Sequence, residues 1–156
     1  MTEKTILIVD YDKNSLESLV NLFSPYKLKI LTATDGMAAY EIYKTESPNL
    51  VILEAMLPKL HGFDLTQKIY EETKGSIPVV IVTGLYKGPQ YKKEALRSFG
   101  AADYFEKPFD KTKFVSIVMN LLQDEMDIHE ELPDPDSVLS MLSELEKENL
   151  QSSKTK

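Results

Sequence analysis

Three short, uninterrupted apolar runs restrict the fold of this chain more than any other feature. Residues 6–9, 50–53 and 79–82 each consist of four aliphatic side chains in a row. A β-strand carries such a run when both faces of its sheet are covered, because an open face would alternate apolar and polar positions. The runs therefore predict central strands of a parallel sheet with helices on both sides.

Segments with helical spacing alternate with these runs. Apolar residues recur there at intervals of three and four positions, as on the buried face of a helix. Weaker strand patterns at residues 28–33 and 102–105, and helical patterns near residues 91–99 and 111–122, complete five β–α pairs. Because crossovers between parallel strands are right-handed, this order predicts an α/β fold with a doubly wound (βα)5 sheet. The predicted helix N-caps are Asp12, Asp35 and Asp110.

Composition narrows the class of protein. The chain contains no cysteine, which excludes disulfides and thiolate sites and suits a reducing interior. No apolar run approaches the roughly 20 residues of a membrane span, and the N-terminal residues lack the pattern of a signal peptide. We therefore expect a cytoplasmic protein without a membrane partner.

The net charge of −7 lies entirely toward the C-terminus. Residues 1–123 contain 15 acidic and 15 basic side chains, whereas residues 124–156 contain 10 acidic and 3 basic ones. Binding to nucleic acid needs clustered Lys and Arg, so a neutral body with an acidic tail argues against it. The change in composition predicts a folded domain at 1–123 and an acidic tail at 124–156.

The tail is predicted as a linker followed by a short helix. Residues 124–133 are acidic without a consistent period, and Asp134 and Pro135 can then cap and open a helix. The apolar face of that helix comprises Val138, Met141, Leu142 and Leu145. A helix this short needs a surface to dock on. Two interpretations stay open: the tail leads to a further domain, or it is a latch that covers the first one.

Four polar residues stand where predicted strands end: Asp10, Glu54, Thr83 and Lys107. In open α/β sheets the functional crevice lies beyond the carboxyl ends of the strands, so these side chains are expected to meet there. Each also has a structural interpretation, with Asp10 and Asp12 as turn and cap residues, Thr83 as a strand-end hydroxyl and Lys107 as a solvated charge. Their joint placement on four strands predicts one shared site.

The segments around these residues are ILIVDYD (6–12), NLVILEAMLPKLHGFDL (49–65), VVIVTG (79–84) and GAADYFEKPF (100–109). In this arrangement the chain resembles the receiver domains of response regulators over about residues 4–122. Met56-Leu57-Pro58 with Gly62, and Lys107-Pro108, are the most specific pieces. The resemblance implies a flavodoxin-like fold with strand order 2-1-3-4-5 and a role in bacterial two-component phosphorelay signalling.

The resemblance also implies roles for the strand-end residues. In that family an acidic pair after the first strand binds Mg²⁺, and an Asp that ends the third strand accepts phosphate from a histidine kinase. A Ser or Thr ends the fourth strand, and a Lys contacts the phosphoryl group. These roles carry over to Asp10, Thr83 and Lys107, and the Lys107–Pro108 bond is expected to be cis. Tyr104 matches the aromatic whose inward or outward rotamer reports activation, or alternatively packs at the sheet edge.

Three departures from the family pattern bear on function. Glu54 stands at the phosphoacceptor position in place of Asp, so its carboxylate reaches one methylene further. Tyr11 replaces the second acid of the pair, which leaves Asp10 with Asp12 one residue beyond. The loop at residues 85–90 is longer than the common form. Mg²⁺ prefers near-octahedral oxygen ligands, so the predicted metal site is weak or absent, with Asp10 and Glu54 as its ligands if it forms.

These departures predict an atypical, phosphorylation-independent receiver that acts by protein–protein contact and not as an enzyme. Glu54 would extend toward Lys107 and supply a permanent negative charge where a phosphoryl group would otherwise sit. The predicted partner is a histidine kinase or a downstream effector. By resemblance to the family, a homodimer is expected to form through the fourth helix, fifth strand and fifth helix.

Three alternatives stay open. Glu54 and Lys107 can form a structural ion pair without mimicking phosphate. The domain can also be a conventional Mg²⁺-dependent receiver that becomes phosphorylated. Finally, residues 10–12 resemble the Asp-x-Asp opening of haloacid-dehalogenase phosphatases, in which the first Asp is a nucleophile. Against that interpretation, Asn14 and Ser15 depart from the phosphatase motif, and no later predicted strand ends in the paired acids that hold Mg²⁺.

Overall fold

The computed structural model describes residues 3–130, and side chains from residue 3 to residue 123. The strands are β1 (Lys4–Val9), β2 (Leu28–Ala33), β3 (Leu50–Glu54), β4 (Val79–Thr83) and β5 (Asp103–Glu106). The helices are α1 (Lys13–Phe23), α2 (Gly36–Glu46), α3 (Gly62–Thr73), α4 (Pro89–Arg97) and α5 (Lys111–Glu130). All strand pairs are parallel, and the sheet order is β2-β1-β3-β4-β5. The predicted flavodoxin-like fold is therefore confirmed.

Two apolar layers hold the sheet between the helices. Every residue of β3 and β4 is buried, which explains the uninterrupted apolar runs. Side chains on one face of the sheet, such as Leu53, pack in a cluster with apolar residues of α2, α3 and α4. Those on the other face, such as Ile52, join Phe23 of α1 and Phe114 of α5. Each fully buried large side chain stabilises the fold by about 1.5–3 kcal/mol, so these layers dominate stability.

The predicted helix caps are confirmed at all three positions. The Asp12 carboxylate accepts hydrogen bonds from the backbone N–H groups of Asn14 and Ser15 at the start of α1. Asp35 does the same for Ala38 in α2, and Asp110 accepts from the Lys113 N–H at 3.1 Å. α4 begins at Pro89, two residues before the predicted start, because proline suits the first turn of a helix.

One prediction about the tail is wrong, as the length of α5 shows. The helix continues to Glu130, so residues 124–130 are helical and not the irregular linker predicted from their acidity. They contain no proline or glycine, and nothing in the local backbone ends the helix there. The compact unit that contains the sheet ends at Leu122. The predicted helix beyond Asp134 lies outside the described residues. No helix within residues 3–130 is long and apolar enough to cross a bilayer.

The loop after β3 packs directly on the start of α2. The Gly36 N–H donates to the Pro58 carbonyl at 3.0 Å, and a Cβ atom at Gly36 would overlap the Leu60 carbonyl oxygen. Lys59 has a positive φ of 70°, and its ammonium lies 3.7 Å from the Asp35 carboxylate. These contacts hold the loop that follows Glu54 in one position.

Substitution Gly36→Ala tests this packing. In an ordinary helix the change would stabilise by about 0.5–1 kcal/mol, but here the added methyl group meets rigid backbone. We expect the free energy of unfolding in urea to fall by about 1–3 kcal/mol. Gly84→Ala is the matched control, because the nearest atoms to its new Cβ are side-chain carbons of Lys107 at 3.8 Å. If Gly36→Ala is as stable as the wild type, the loop does not press on α2.

Candidate functional site

The sheet brings four sequence-predicted residues together at the carboxyl ends of its strands. β1, β3 and β4 run parallel, so Asp10, Glu54 and Thr83 follow or end neighbouring strands on the same side. Lys107 comes directly after β5. Asp10 and Thr83 are fully buried, and Glu54 is 4% exposed. We call Asp10, Glu54, Thr83 and Lys107 the strand-end pocket.

The Lys107 ammonium is the centre of the pocket. Its Nζ atom lies 2.9 Å from Asp10 Oδ2, 2.8 Å from Ser15 Oγ and 3.3 Å from Glu54 Oε1. One positive charge therefore serves two buried carboxylates. Sequence reasoning did not assign Ser15 to the site, although it follows the cap residue Asp12 by three positions and so begins α1 beside the end of β1.

Both oxygens of the Asp10 carboxylate are occupied. Oδ1 accepts the Asp12 N–H at 3.0 Å, and Oδ2 accepts the Ser15 hydroxyl at 2.6 Å as well as the Lys107 ammonium. The Asp12 side chain does not join the pocket, because it is exposed and caps α1. Tyr11, at the position of the second acid, is 48% exposed.

The Glu54 carboxylate is also surrounded by donors. Oε2 accepts the Met56 N–H at 3.1 Å. Oε1 accepts the Gly84 N–H at 3.4 Å in addition to the Lys107 ammonium at 3.3 Å. Two backbone N–H groups from the loops after β3 and β4 thus point toward the negative charge that ends β3.

Thr83 and Tyr104 hold the loop that follows β4. Thr83 Oγ1 accepts the Leu85 N–H at 3.2 Å and the Tyr86 N–H at 3.4 Å. The Tyr104 ring lies inward, with 3% of the residue exposed, and its hydroxyl donates to the Tyr86 carbonyl. Burial, followed by the negative charges of Glu106 and Glu54, raises the pKa of Tyr104.

The charge state of Lys107 follows from its neighbours. Burial acts to lower the pKa of Lys107, but the hydrogen bond and charge of Asp10 and the charge of Glu54 outweigh it. The pKa of Lys107 is therefore raised above its ordinary value. The side chain is protonated at neutral pH and neutralises part of the carboxylate charge around it.

The carboxylates of this pocket are already engaged by other groups, which disfavours a divalent cation. Mg²⁺ needs several oxygen ligands in near-octahedral geometry, whereas the oxygens of Asp10 and Glu54 already accept hydrogen bonds from Lys107 and backbone N–H groups. Within the described part of the chain, no group of three acidic, histidine or cysteine side chains is placed to hold a metal ion.

Comparison with known proteins agrees with the geometry. The family model for the response regulator receiver domain matches residues 6–119 of the sequence. The chain therefore belongs to the response regulator receiver family, whose members act in two-component signalling. The Lys107–Pro108 bond is cis, as the resemblance implied.

Individual relatives cover the same region. The chain is 32% identical over 123 residues to the probable transcriptional regulator ycf27 of Cyanophora paradoxa, covering 79% of this chain and 50% of the relative. It is 33% identical over 125 residues to the alkaline phosphatase synthesis transcriptional regulatory protein PhoP of Bacillus subtilis, covering 77% and 49%. The chain thus spans about half the length of these curated relatives.

A solved structure supports the same assignment. The chain is similar to a putative response regulator from Chloroflexus aurantiacus J-10-fl, with a TM-score of 0.70 and 27% sequence identity. The match covers 78% of this chain and 99% of that structure. The receiver fold accounts for nearly all of the solved protein and for the compact part of this one.

Substitution Lys107→Met tests the central role of the ammonium. It leaves two buried carboxylates without their cation, and we expect a loss of about 2–4 kcal/mol in the free energy of unfolding, measured in urea. Lys93→Met removes an exposed charge and is the matched control. Adding Glu54→Gln to Lys107→Met is expected to restore part of the loss, because one buried charge is removed. Equal stability of Lys107→Met and the wild type would contradict this account.

The difference in free energy of unfolding between the wild type and Lys107→Met is expected to depend on pH, because the pKa of Lys107 is raised in the folded protein. A raised folded-state pKa means that the stabilisation is complete below the unfolded value of about 10.4 and is lost as pH rises through the folded value. We expect the difference between wild type and Lys107→Met to be constant from about pH 7 to 9 and to shrink above about pH 10.4. A difference that persists undiminished to higher pH would show that packing, and not charge, is responsible.

Proposed function

We propose that this chain is a receiver module whose signalling does not depend on phosphorylation of Glu54, and that it acts by binding a signalling protein and not as an enzyme. The observation that carries the proposal is the Glu54 carboxylate, which is 4% exposed and accepts hydrogen bonds from two backbone N–H groups and the Lys107 ammonium. The carboxylate thus reaches one methylene further into the pocket than that of the family's aspartate, toward the place where the phosphoryl group would sit.

The position of the carboxylate supports this reading. Transfer of a phosphoryl group needs an acceptor oxygen in line with the donor, and a misplacement of about 1 Å can cost on the order of 10²-fold in rate. Glu54 is one methylene longer than aspartate, and both of its oxygens are already engaged by donors of the pocket. An approaching phosphodonor would have to displace those contacts.

The donors of the pocket support the proposal in a second way. Phosphoryl transfer relies on cations that neutralise charge on the transferred group, usually Mg²⁺ together with a basic side chain. Here Tyr11 replaces one acid, and Asp10 already accepts hydrogen bonds from the Asp12 N–H, the Ser15 hydroxyl and the Lys107 ammonium. The pocket is therefore poorly suited to assemble the metal that the reaction needs.

The position of Tyr104 agrees with a domain held in one state. Its ring is buried and its hydroxyl is bound to the carbonyl of Tyr86. Thr83 binds the N–H groups of the same loop. The loop after β4 is thereby tied from two strands, while Glu54 contacts the Gly84 N–H at its start.

The rival phosphatase reading loses its second acid. In the phosphatases that residues 10–12 resemble, the second Asp of the Asp-x-Asp opening is a general acid and must face the reacting group. The Asp12 carboxylate at that position is instead exposed and accepts the N–H groups of α1. Among the described residues, nothing takes over this role beside Asp10. A conventional phosphorylated receiver is the remaining alternative, and treatment with a phosphodonor distinguishes it from the proposed function.

The proposed partner is a histidine kinase or a downstream effector. The chain is 35% identical over 130 residues to a segment that covers 9% of the histidine kinase P4 of Formosa agariphila, and other relatives are named as transcriptional regulators. Receiver segments therefore occur in proteins of both kinds. The neutral charge of residues 1–123 favours a protein partner over nucleic acid.

The face formed by α4, β5 and α5 is the proposed dimer contact. It carries both signs of charge around a shallow cavity, with Lys92 3.6 Å from Asp103 and with Glu106, Asp110 and Lys113 nearby. Alternating charges on one surface allow it to complement a second copy of itself in an isologous dimer.

Treatment with a phosphodonor tests the proposed function. Wild type is incubated with Mg²⁺ and acetyl phosphate, and its intact mass is recorded. We expect no gain of a phosphoryl group, whereas Tyr11→Asp with Glu54→Asp, which restores the family pattern, should gain one. Glu54→Gln is the control without a carboxylate. Full phosphorylation of the wild type on Glu54 would overturn the proposal and favour a conventional receiver.

The dimer is tested by sedimentation velocity over a range of concentrations. We expect reversible dimerisation, and Lys92→Glu should raise the dissociation constant by about tenfold, because it places like charges on the proposed face. Lys29→Glu, on the strand at the opposite edge of the sheet, is the control and should change little. A wild type that stays monomeric would remove the dimer from the proposal.

A further inference from the structure

The Lys107 ammonium has a complete set of acceptors. Its three protons match three oxygens, on Asp10 at 2.9 Å, Ser15 at 2.8 Å and Glu54 at 3.3 Å. We infer that this ammonium, positioned by the Ser15 hydroxyl, permanently occupies the cation position between the two carboxylates. The positive charge between the two carboxylates thereby comes from a side chain of the protein itself.

Ser15 completes the arrangement in both directions. Its hydroxyl donates its single proton to Asp10 Oδ2 at 2.6 Å, and its lone pairs accept from the Lys107 ammonium. Asp10, Ser15 and Lys107 therefore form a closed triangle of three short contacts. Each buried polar atom in the triangle is satisfied without an added ion.

The helix cap fixes Ser15 where it is needed. The Asp12 carboxylate accepts the Ser15 N–H at 3.2 Å, so the backbone of residue 15 is held in the first turn of α1. From there the side chain turns back toward the end of β1. This geometry makes Ser15 a positioning residue, which acts on the pocket through Lys107.

The two carboxylates hold the ammonium unequally. Lys107 lies closer to Asp10 than to Glu54, and Ser15 adds a contact only on the Asp10 side. Glu54 Oε1 also accepts the Gly84 N–H. Ser15 thus biases the ammonium toward β1 and leaves the Glu54 charge partly free for the loop after β4.

This inference deepens the proposed function, since it explains why a pocket with two carboxylates has no need of a metal ion. It rests on that proposal only because both concern the strand-end pocket. Neither measurement below uses a phosphodonor, so the role of Ser15 can fail while Glu54 still resists phosphorylation, and the reverse can also occur.

The first measurement follows the ammonium itself. In protein labelled with ¹⁵N-lysine, a hydrogen-bonded ammonium gives a ¹H–¹⁵N signal that exchanges slowly with water, and Lys107→Arg identifies the signal of residue 107. We expect Ser15→Ala to speed its exchange by about tenfold, because one of three acceptors is lost. Ser15→Thr keeps a hydroxyl and should restore slow exchange. Ser18→Ala, an exposed serine on the same helix, is the control, and backbone amide spectra report folding.

The second measurement asks whether the cation position is already filled. Millimolar Mn²⁺ is added, and paramagnetic broadening of the Asp10 and Asp12 amide signals is recorded. We expect none in the wild type or Ser18→Ala, and clear broadening in Lys107→Met, where no ammonium lies between the two carboxylates. Broadening in the wild type, or a Lys107 signal that stays slow in Ser15→Ala, would overturn the inference.

Discussion

A single ammonium between two buried carboxylates organises the working end of this protein. Burying an uncompensated carboxylate costs several kcal/mol, and an ammonium beside Asp10 and Glu54 offsets that cost. Lys107 supplies that cation from the end of β5. The strand order permits this, because β1 and β3 are adjacent and a long side chain reaches them across the end of β4. Charge balance in the pocket therefore depends on the whole sheet.

The pocket is linked to the outer surface through the loop after β4. Glu54 accepts the N–H of Gly84 at the start of that loop, and Tyr104 donates to the carbonyl of Tyr86 within it. The Tyr86 hydroxyl in turn lies 3.1 Å from His61 Nε2, in the residue that caps α3. Hydrogen bonds thus connect the end of β3, through the loop after β4, to α3 and to β5.

Much of the architecture was predictable because it depends on local patterns. Continuous apolar runs require strands covered on both faces, and aspartates before helical patterns proved to be caps. The end of α5 was predicted wrongly, because the acidity of residues 124–130 suggested a linker, while their freedom from proline and glycine let the helix continue. Ser15 was missed for a different reason: a lone serine in a first helical turn has no sequence signal for the strand end it faces.

The sequence by itself determined the sheet, the strand-end residues Asp10, Glu54, Thr83 and Lys107, and membership in the receiver family, since all of these follow from patterns within short segments. Only the tertiary structure decided how those residues are paired. In the folded protein the Lys107 ammonium lies closer to Asp10 and Ser15 than to Glu54. The Asp12 side chain faces outward and caps α1. The reason is that hydrogen bonds and charge compensation act across strands, between atoms brought together only when the sheet is assembled.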